Sequence, residues 1–299
     1  MINNQFSIAN GTFWALGGSF SSGISQFRFG ASNIRVTANP NSNNFIGGAY
    51  YNNFFYVFGG NNGATVADCY KYDLYNNIWS TIASLPAARA QLSVAAALNG
   101  KIYAMGGEDS VGTTVNTVYE YDPVGNSWVT KTATMPANIE ESQAAIDPNT
   151  GIIYISGGFD GGLGAGTAAL YSYMPDTDTW STLASMPISG TASCASAILN
   201  GYLYTMGGAF GGSRLNSVCE YNIATNTWKR KKNMLALKQA HTAVSARNRI
   251  YTFGGDNGGT GSTDVYYYNQ ENDTWFKDTP NLAVATNLPT SAYAPYPRV

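Results

Sequence analysis

One unit is written almost end to end along this chain, and it constrains the fold more than any other feature. Its fullest copy is KIYAMGGEDSVGTTVNTVYEYDPVGNSW, from Lys101 to Trp128. It reads as an apolar strand, a Gly-Gly pair, a polar loop, a Tyr-x-Tyr-Asp strand, a tight turn and a Trp. Gly-Gly pairs begin at Gly17, Gly59, Gly106, Gly157, Gly207 and Gly254, at intervals of 42 to 51 residues. Trp79, Trp128, Trp180, Trp228 and Trp275 follow the last five pairs, each 20 to 23 residues after the first glycine. Between pair and Trp lie Tyr70/Tyr72, Tyr119/Tyr121, Tyr171/Tyr173, Tyr221 alone and Tyr266/Tyr268.

A period near 50 with this content resembles the kelch-repeat family, and the resemblance covers nearly the whole chain. It implies an all-β fold: a six-bladed kelch-type β-propeller with four antiparallel strands per blade. A lone four-stranded blade cannot bury both faces, so neighbours must stack on it, and radial stacking leaves only short sheet edges. The repeat Trp and Tyr rings are expected to fill the space between blades. The glycine pair is expected to let a large ring approach the backbone closely.

The continuous repeat makes residues 1–299 one propeller domain, with blades near 1–38, 39–85, 86–135, 136–186, 187–234 and 235–281 and a closing segment 282–299. Blade one is degenerate: Phe27 and Phe29 stand for the Tyr doublet and Val36 for the Trp. Asn52-Asn53, Asn99-Gly100 and Asn200-Gly201 are two-residue hairpin signals between the first and second strands. The third-to-fourth strand turns, DLYNN, DPVGN, PDTD, IATN and QEND, use Asp, Asn, Pro and Gly for turn geometry. Asp176 and Asp178 are therefore read as a turn before a calcium site. LPTSAYAP in the tail can return as the inner strand of blade one and close the ring; the N-terminal FSIAN competes for that place.

Composition excludes several classes of function. A formal net charge of −2 gives no electrostatic case for nucleic acid or an anionic membrane. No apolar run approaches the ~18 residues of a membrane helix. No Lys or Arg precedes Arg28, so no signal-peptide n-region is visible, and the chain either is not exported by that route or has lost its signal. Only 11% of residues are charged, against ~25% for ordinary soluble domains. Polarity comes from Asn, Ser, Thr and Gly, a composition that favours a virion or extracellular surface. Cys69, Cys194 and Cys219 are read as buried free thiols. Cys194 and Cys219 fall on the first and third strands of one blade, ~9.6 Å apart at two strand spacings, beyond disulfide reach.

The strand order of a kelch-type blade puts the fourth-to-first links and second-to-third loops on one face, the top. Its loops vary (SFSSG, NNGAT, EDSVGTT, FDGGLGAGT, AFGGSR, DNGGTGST), and variable loops on a rigid scaffold are where binding tends to reside. Phe20, Phe159 and Phe210 stand there beside Asp109, Asp160, Arg214 and Asp256, a pairing of ring and polar group that suits a sugar face. The alternative is that the rings tuck under their own loops. Arg89, Gln91, Glu140, Glu141, Lys238, Gln239 and His241 are expected at the mouth of the central channel. Ile139 and Gly190 stand where a kelch pattern often has Arg. His241 reads as a satisfied scaffold residue before a catalytic base.

A copper oxidase resembling galactose oxidase needs two His ligands, and the chain has one His. A zinc site fails on the same count. No GxSxG elbow accompanies His241, and the Gly-rich loops join strands, so they do not open a phosphate-binding helix. The resemblance leaves a sialic-acid-type epimerase or mutarotase as the enzyme alternative, with Glu140 or Glu141, His241, Arg89 and Lys238 supplying acid, base and cation. The leading expectation is a non-catalytic binding or structural propeller. It would grip a protein or glycan through the top loops, as part of a larger assembly and without a cofactor.

Overall fold

In the computed structural model the chain is described at residues 12–16, 24–28, 34–36, 40, 45–188, 190–256, 261–279, 281 and 290–294. Six four-stranded antiparallel sheets form the blades. Blade two is Gly47–Tyr51, Phe54–Phe58, Cys69–Asp73 and Ile78–Ile82. Blade three is Ser93–Ala96, Ile102–Met105, Val118–Asp122 and Ser127–Thr130, and blade four is Ala144–Ile146, Ile153–Ser156, Leu170–Met174 and Thr179–Leu183. Blade five is Ala195–Leu199, Tyr202–Met206, Val218–Asn222 and Thr227–Lys231. Blade six is Thr242–Ala246, Arg249–Phe253, Val265–Asn269 and Thr274–Asp278.

The sheet of blade one joins both ends of the chain. Thr290–Ala294 pairs antiparallel with Thr12–Leu16, followed outward by Ile24–Arg28 and Ile34–Val36. The strand Thr290–Ala294 also lies between the inner strands of blades six and two, so the C-terminal strand closes the ring. FSIAN lies outside the described residues. Register corrects the reading of blade one. Ile24 pairs with Val36 as Cys69 pairs with Ile82, so Val36 corresponds to Ile82 and not to Trp79. By the same register Ser25 and Phe27 stand where Tyr70 and Tyr72 do; Phe29 lies outside the described residues.

The Tyr and Trp rings lie between blades, as the repeat implies. Tyr72, Tyr121, Tyr173, Tyr221 and Tyr268 are fully buried. Each sits 4.8 to 5.1 Å, centroid to centroid, from the Trp of its own blade. Across the interface of blades two and three, Phe58 meets Trp128 edge-on at 5.0 Å and Tyr56 meets Tyr121 at 5.9 Å. These tilted arrangements are the favourable ones for aromatic pairs.

The turn residue just before each Trp strand has a role that turn geometry does not reveal. Asn126, Asp178, Asn226 and Asp273 are all left-handed, with φ between 48° and 53°. Each side chain accepts the hydroxyl of its own blade's Tyr at 2.7 to 2.8 Å. It also accepts a backbone amide of the preceding blade: Ala83, Thr132, Ala184 and Lys232 respectively. Trp128, Trp228 and Trp275 then donate Nε1–H to the carbonyls of Ala83, Ala184 and Lys232. Both polar groups of one residue in the preceding blade are thereby held by the next blade. Asp178 departs from this pattern by taking a second amide, Ala133, while Trp180 Nε1 has no partner.

The glycine pair forms the other junction, and here the expectation needs correcting. In blade three backbone, and not a large ring, presses on it; at Gly207 a ring does come close, that of His241. In blade three, Gly106 N–H donates to Thr117 O and Gly107 N–H to Ile139 O of the next blade, both at 2.9 Å. A Cβ on Gly106 would stand under 3.0 Å from that same Ile139 oxygen, and one on Gly107 equally close to Ala90 O. Both glycines have positive φ, 65° and 84°, which residues with a Cβ adopt at a cost. The first glycine thus packs on the lead-in to the next blade, the second on the lead-in to its own. All three cysteines are free and buried. Burial pushes the Cys69 and Cys194 thiols up to about 12, which keeps them protonated and unreactive at neutral pH.

Candidate functional site

At the top of the channel five equivalent residues, one per blade from two to six, turn left-handed together. Phe45, Gln91, Glu141, Ser193 and Ala240 have φ between 52° and 57°. Their backbones link in a chain around the mouth: Gln91 N–H donates to Phe45 O, Glu141 to Gln91 O, Ser193 to Glu141 O and Ala240 to Ser193 O, at 2.8 to 3.4 Å. Non-glycine residues pay about 1–3 kcal/mol for such a conformation, and the cross-blade bonds hold them in it. The ring brings Gln91 and Glu141 together at the mouth.

Below this ring, corresponding inner-strand positions are Gly47, Ser93, Gln143, Ala195 and Thr242, each level with the residue before its glycine pair. Only Gln143 is large. Its amide donates to Ala243 O at 2.8 Å and its oxygen accepts from Ala243 N at 3.1 Å, so the side chain reaches from blade four to blade six. Sequence reasoning missed this strut, although aligning the inner strands exposes it as the one long side chain in a row of small ones. Beside it is a cavity of about 110 Å³. Phe45, Ile46 and Leu92 supply an apolar side, and Glu141, Ser193 and His241 a polar one.

The cations predicted at the mouth are buried between strands. Arg89 is 8% exposed; its guanidinium donates to Ala88 O and to Tyr119 Oη at 3.2 Å and lies 5.6 Å from the Tyr119 ring. Lys238 is wholly buried, donates to Gly254 O at 2.6 Å and lies 4.8 Å from the Tyr266 ring. Burial pulls the Lys238 ammonium down to about 8. The common cause is position. Both side chains stand two residues before the left-handed turn and pack on the first Tyr of their own blade's doublet. The carbonyls there receive the glycine amides Gly60 and Gly208, and the same bond in blade five goes to Thr191. Thr191, and not Gly190, is therefore the counterpart of Arg89.

His241 is buried, and neither ring nitrogen has a hydrogen-bond partner. It is packed as a scaffold residue, but it is not a satisfied one. Burial, with the Lys238 charge adding, pulls its pKa down to about 3 and keeps it neutral. Glu140 is 9% exposed with one carboxylate oxygen unpartnered. Burial, then the Glu108 and Glu141 charges, pushes it up to about 7 against a partial offset from the Thr114 hydroxyl. Gln239 donates to Asp256 at 3.0 Å.

A consequence for stability follows from Glu140. Its folded pKa lies above the ordinary carboxylate value, so the folded state holds the extra proton between about pH 4.5 and 7. That contribution is complete below pH 4.5 and is lost as pH rises through 7. Glu140→Gln is expected to leave unfolding free energy near wild type at pH 4 and to raise it by about 1–3 kcal/mol at pH 8. Urea melts at the two pH values measure this.

The top loops merge into a collar. Phe159–Asp160 and Ala165–Gly166 form a small sheet with Ile139–Glu140, and Ala209–Phe210 pairs with Ser213–Arg214. Gly161 lies against Thr114 of the preceding loop, so closely that a Cβ there would stand 2.6 Å from the Thr114 Cβ. Arg214 bridges to Asp256 of blade six at 2.8 Å. The carboxylates serve the loops themselves. Asp109 accepts the Val111 and Thr113 amides, Asp160 those of Gly162 and Leu163, and Asp256 the Arg214 guanidinium. Phe159 is half-buried, whereas Phe210 is 46% exposed, and Val111, Leu163, Leu235 and Leu237 also stand out on this face. Phe20 lies outside the described residues. Among the described residues no group of three or more His, Cys, Asp and Glu is placed to hold a metal ion, and no helix is long and apolar enough to cross a membrane.

Known proteins share this architecture. A solved structure described as "Structure of YjhT" superposes with a TM-score of 0.70 over 82% of this chain and 85% of that one, at 20% identity. Kelch-like protein 35 of Mus musculus is 28% identical over 178 residues, 59% of this chain and 28% of that protein. N-acetylneuraminate epimerase of Pasteurella multocida is 27% identical over 166 residues, 44% of this chain and 43% of that protein. Kelch-like protein terF of Aspergillus terreus is 29% identical over 179 residues, 55% and 38%. The chain thus matches less than half the length of each of these curated relatives. Residues 46–240 match the KLHDC2/KLHL20/DRC7 Kelch-repeats domain and residues 239–280 the Kelch motif. With its glycine-pair junctions and Tyr–Trp clamps repeated blade after blade, the chain belongs to the kelch-repeat family.

Proposed function

We propose that this propeller is a binding module whose partner is a protein, held on the top collar. The carrying observation is how polar and apolar groups are distributed there. Asp109, Asp160 and Asp256 are occupied by the loops' own amides and by Arg214. The tips instead offer Val111, Leu163, Phe210, Leu235 and Leu237. An apolar rim over a rigid collar suits a protein surface, and occupied carboxylates count against a sugar. The opposite face also exposes apolar residues, Tyr75, Leu98 and Val124 on separate tight turns and Met174 at the end of a strand, but scattered exposed hydrophobics are ordinary.

The test compares the two faces. Proteins captured by the wild type are expected to be lost with Leu163→Ser/Phe210→Ser and kept with Tyr75→Ser/Val124→Ser, all three melting alike. Loss confined to the second pair would refute the assignment. An epimerase of the sialic-acid type is the second reading. It is favoured by the similarity to N-acetylneuraminate epimerases and by Glu140, an acid that titrates near neutrality. The burial of Arg89, Lys238 and His241 counts against it. Faster anomer exchange with the wild type than with Glu140→Gln would favour it over the binding module.

A further inference from the structure

We propose that the cavity at the channel mouth binds a primary ammonium group, in the space between Gln91, Glu141 and His241. The first ground is the balance of donors and acceptors. All three residues line the cavity. The buried Gln91 Oε1 receives no hydrogen bond, because the Gln91 amide nitrogen is spent on Glu108 at 2.8 Å. His241 is 4% exposed with both nitrogens unpartnered. As a neutral ring it offers one acceptor and one donor. Glu141 has one oxygen engaged by the Ser193 hydroxyl and a second with acceptor capacity to spare. The polar side therefore lacks donors, and an ammonium brings three and accepts none.

The second ground is charge. Glu108, Glu140 and Glu141 lie close enough that the other two raise the Glu140 pKa. None of the ion pairs among the described residues includes any of the three. The nearby cations are committed: Arg89 to Ala88 O and the Tyr119 hydroxyl, Lys238 to Gly254 O and the Tyr266 ring. Asp160, whose residue pairs with Ile139, is engaged by its own loop amides. A bound ammonium would supply the counter-charge that the carboxylates lack. The third ground is size and wall: about 110 Å³, with Phe45, Ile46 and Leu92 on the apolar side, fits the head and last methylenes of an alkylammonium. The ammonium could belong to a free small amine or to a lysine side chain of a protein, and one assay separates them.

The experiment titrates the whole protein calorimetrically at pH 6 and pH 8 with n-butylamine, with N-acetyl-lysine methylamide and with the neutral N-acetyl-norleucine methylamide. Saturable binding of at least one amine is expected, tighter at pH 8 by up to about tenfold as Glu140 ionises, with no binding of the norleucine compound. Glu141→Gln, which can keep the Ser193 hydrogen bond, and Gln91→Leu should each weaken binding at least about tenfold. Leu163→Ser/Phe210→Ser should not, so failure here and failure of the collar reading are told apart. Tighter binding of the lysine compound points to a protein side chain, and equal or tighter binding of butylamine to a free amine. No binding of either amine, equal binding of the neutral isostere, or full binding by both mouth variants would overturn the proposal.

Discussion

Gly106→Ala is expected to destabilise the propeller by about 3 kcal/mol or more. A positive φ of 65° strains alanine, costing about 1–3 kcal/mol. The new Cβ also meets the Ile139 carbonyl at under 3.0 Å. That oxygen is backbone and already receives the Gly107 amide, so it cannot rotate away as a side-chain atom would. Relief requires blades three and four to separate, an overpacking cost of about 1–3 kcal/mol more. For a chain of this size the melting temperature should fall by roughly 5 °C or more. Gly164→Ala provides the control for backbone strain: its φ of 64° matches that of Gly106, but no atom lies within 4 Å of the added Cβ. The junction account requires a much smaller loss there. Equal losses at the two positions would reduce the Gly106 effect to backbone strain.

Trp228→Ala is expected to cost about 3–5 kcal/mol. The indole packs 5.0 Å from Tyr221 and donates to Ala184 O at 2.6 Å. Its removal opens a cavity at the interface of blades four and five and orphans that carbonyl. Asn226→Ala acts on the other backbone polar group of the same residue. It deprives both the Ala184 amide and the Tyr221 hydroxyl of their acceptor, for about 1–3 kcal/mol. The two losses should not add. Once one side of the clamp is gone, the Ala184 segment is free to move, so the double mutant should lose less than the sum by at least about 0.5 kcal/mol. Denaturant melts of the four proteins close the cycle. Strict additivity would mean that the Trp and the Asn act on separate contacts.

What the sequence carried follows from which interactions are local. The glycine pairs, the Tyr–Trp spacing and turns such as Asn52-Asn53, with φ of 49° and 65°, are dictated within one blade, and one blade is what a repeat displays. The repeat places the Tyr and Trp rings between blades, but which atoms meet across each junction was not legible. Nothing local distinguishes a glycine that receives a ring from one that receives a carbonyl, so Gly106 was given the wrong neighbour. Nor does a turn Asn announce that it reaches the preceding blade, as Asn226 does. Arg89 and Lys238 look like mouth residues on charge alone. Only the register shows that their position faces the first Tyr of the doublet, Tyr119 or Tyr266. Blade five has Thr191 and Cys219 at the corresponding places, so it lacks both cation and ring. Gln143 was visible in the letters, but its reach from blade four to blade six depends on ring closure.

The interactions that hold the ring and the surface proposed for binding occupy different places. The clamps and glycine junctions lie between blades and are buried, whereas the apolar tips lie on the top collar. On the proposed function a partner would be gained or lost without disturbing the fold. The measurement that tests this most directly is hydrogen–deuterium exchange of the propeller with and without a captured protein partner. Protection is expected in 109–113, 161–164, 210–213 and 235–238, with the turns at 74–77 and 123–126 exchanging as in the free protein. Protection of those turns with an unchanged collar would contradict the account.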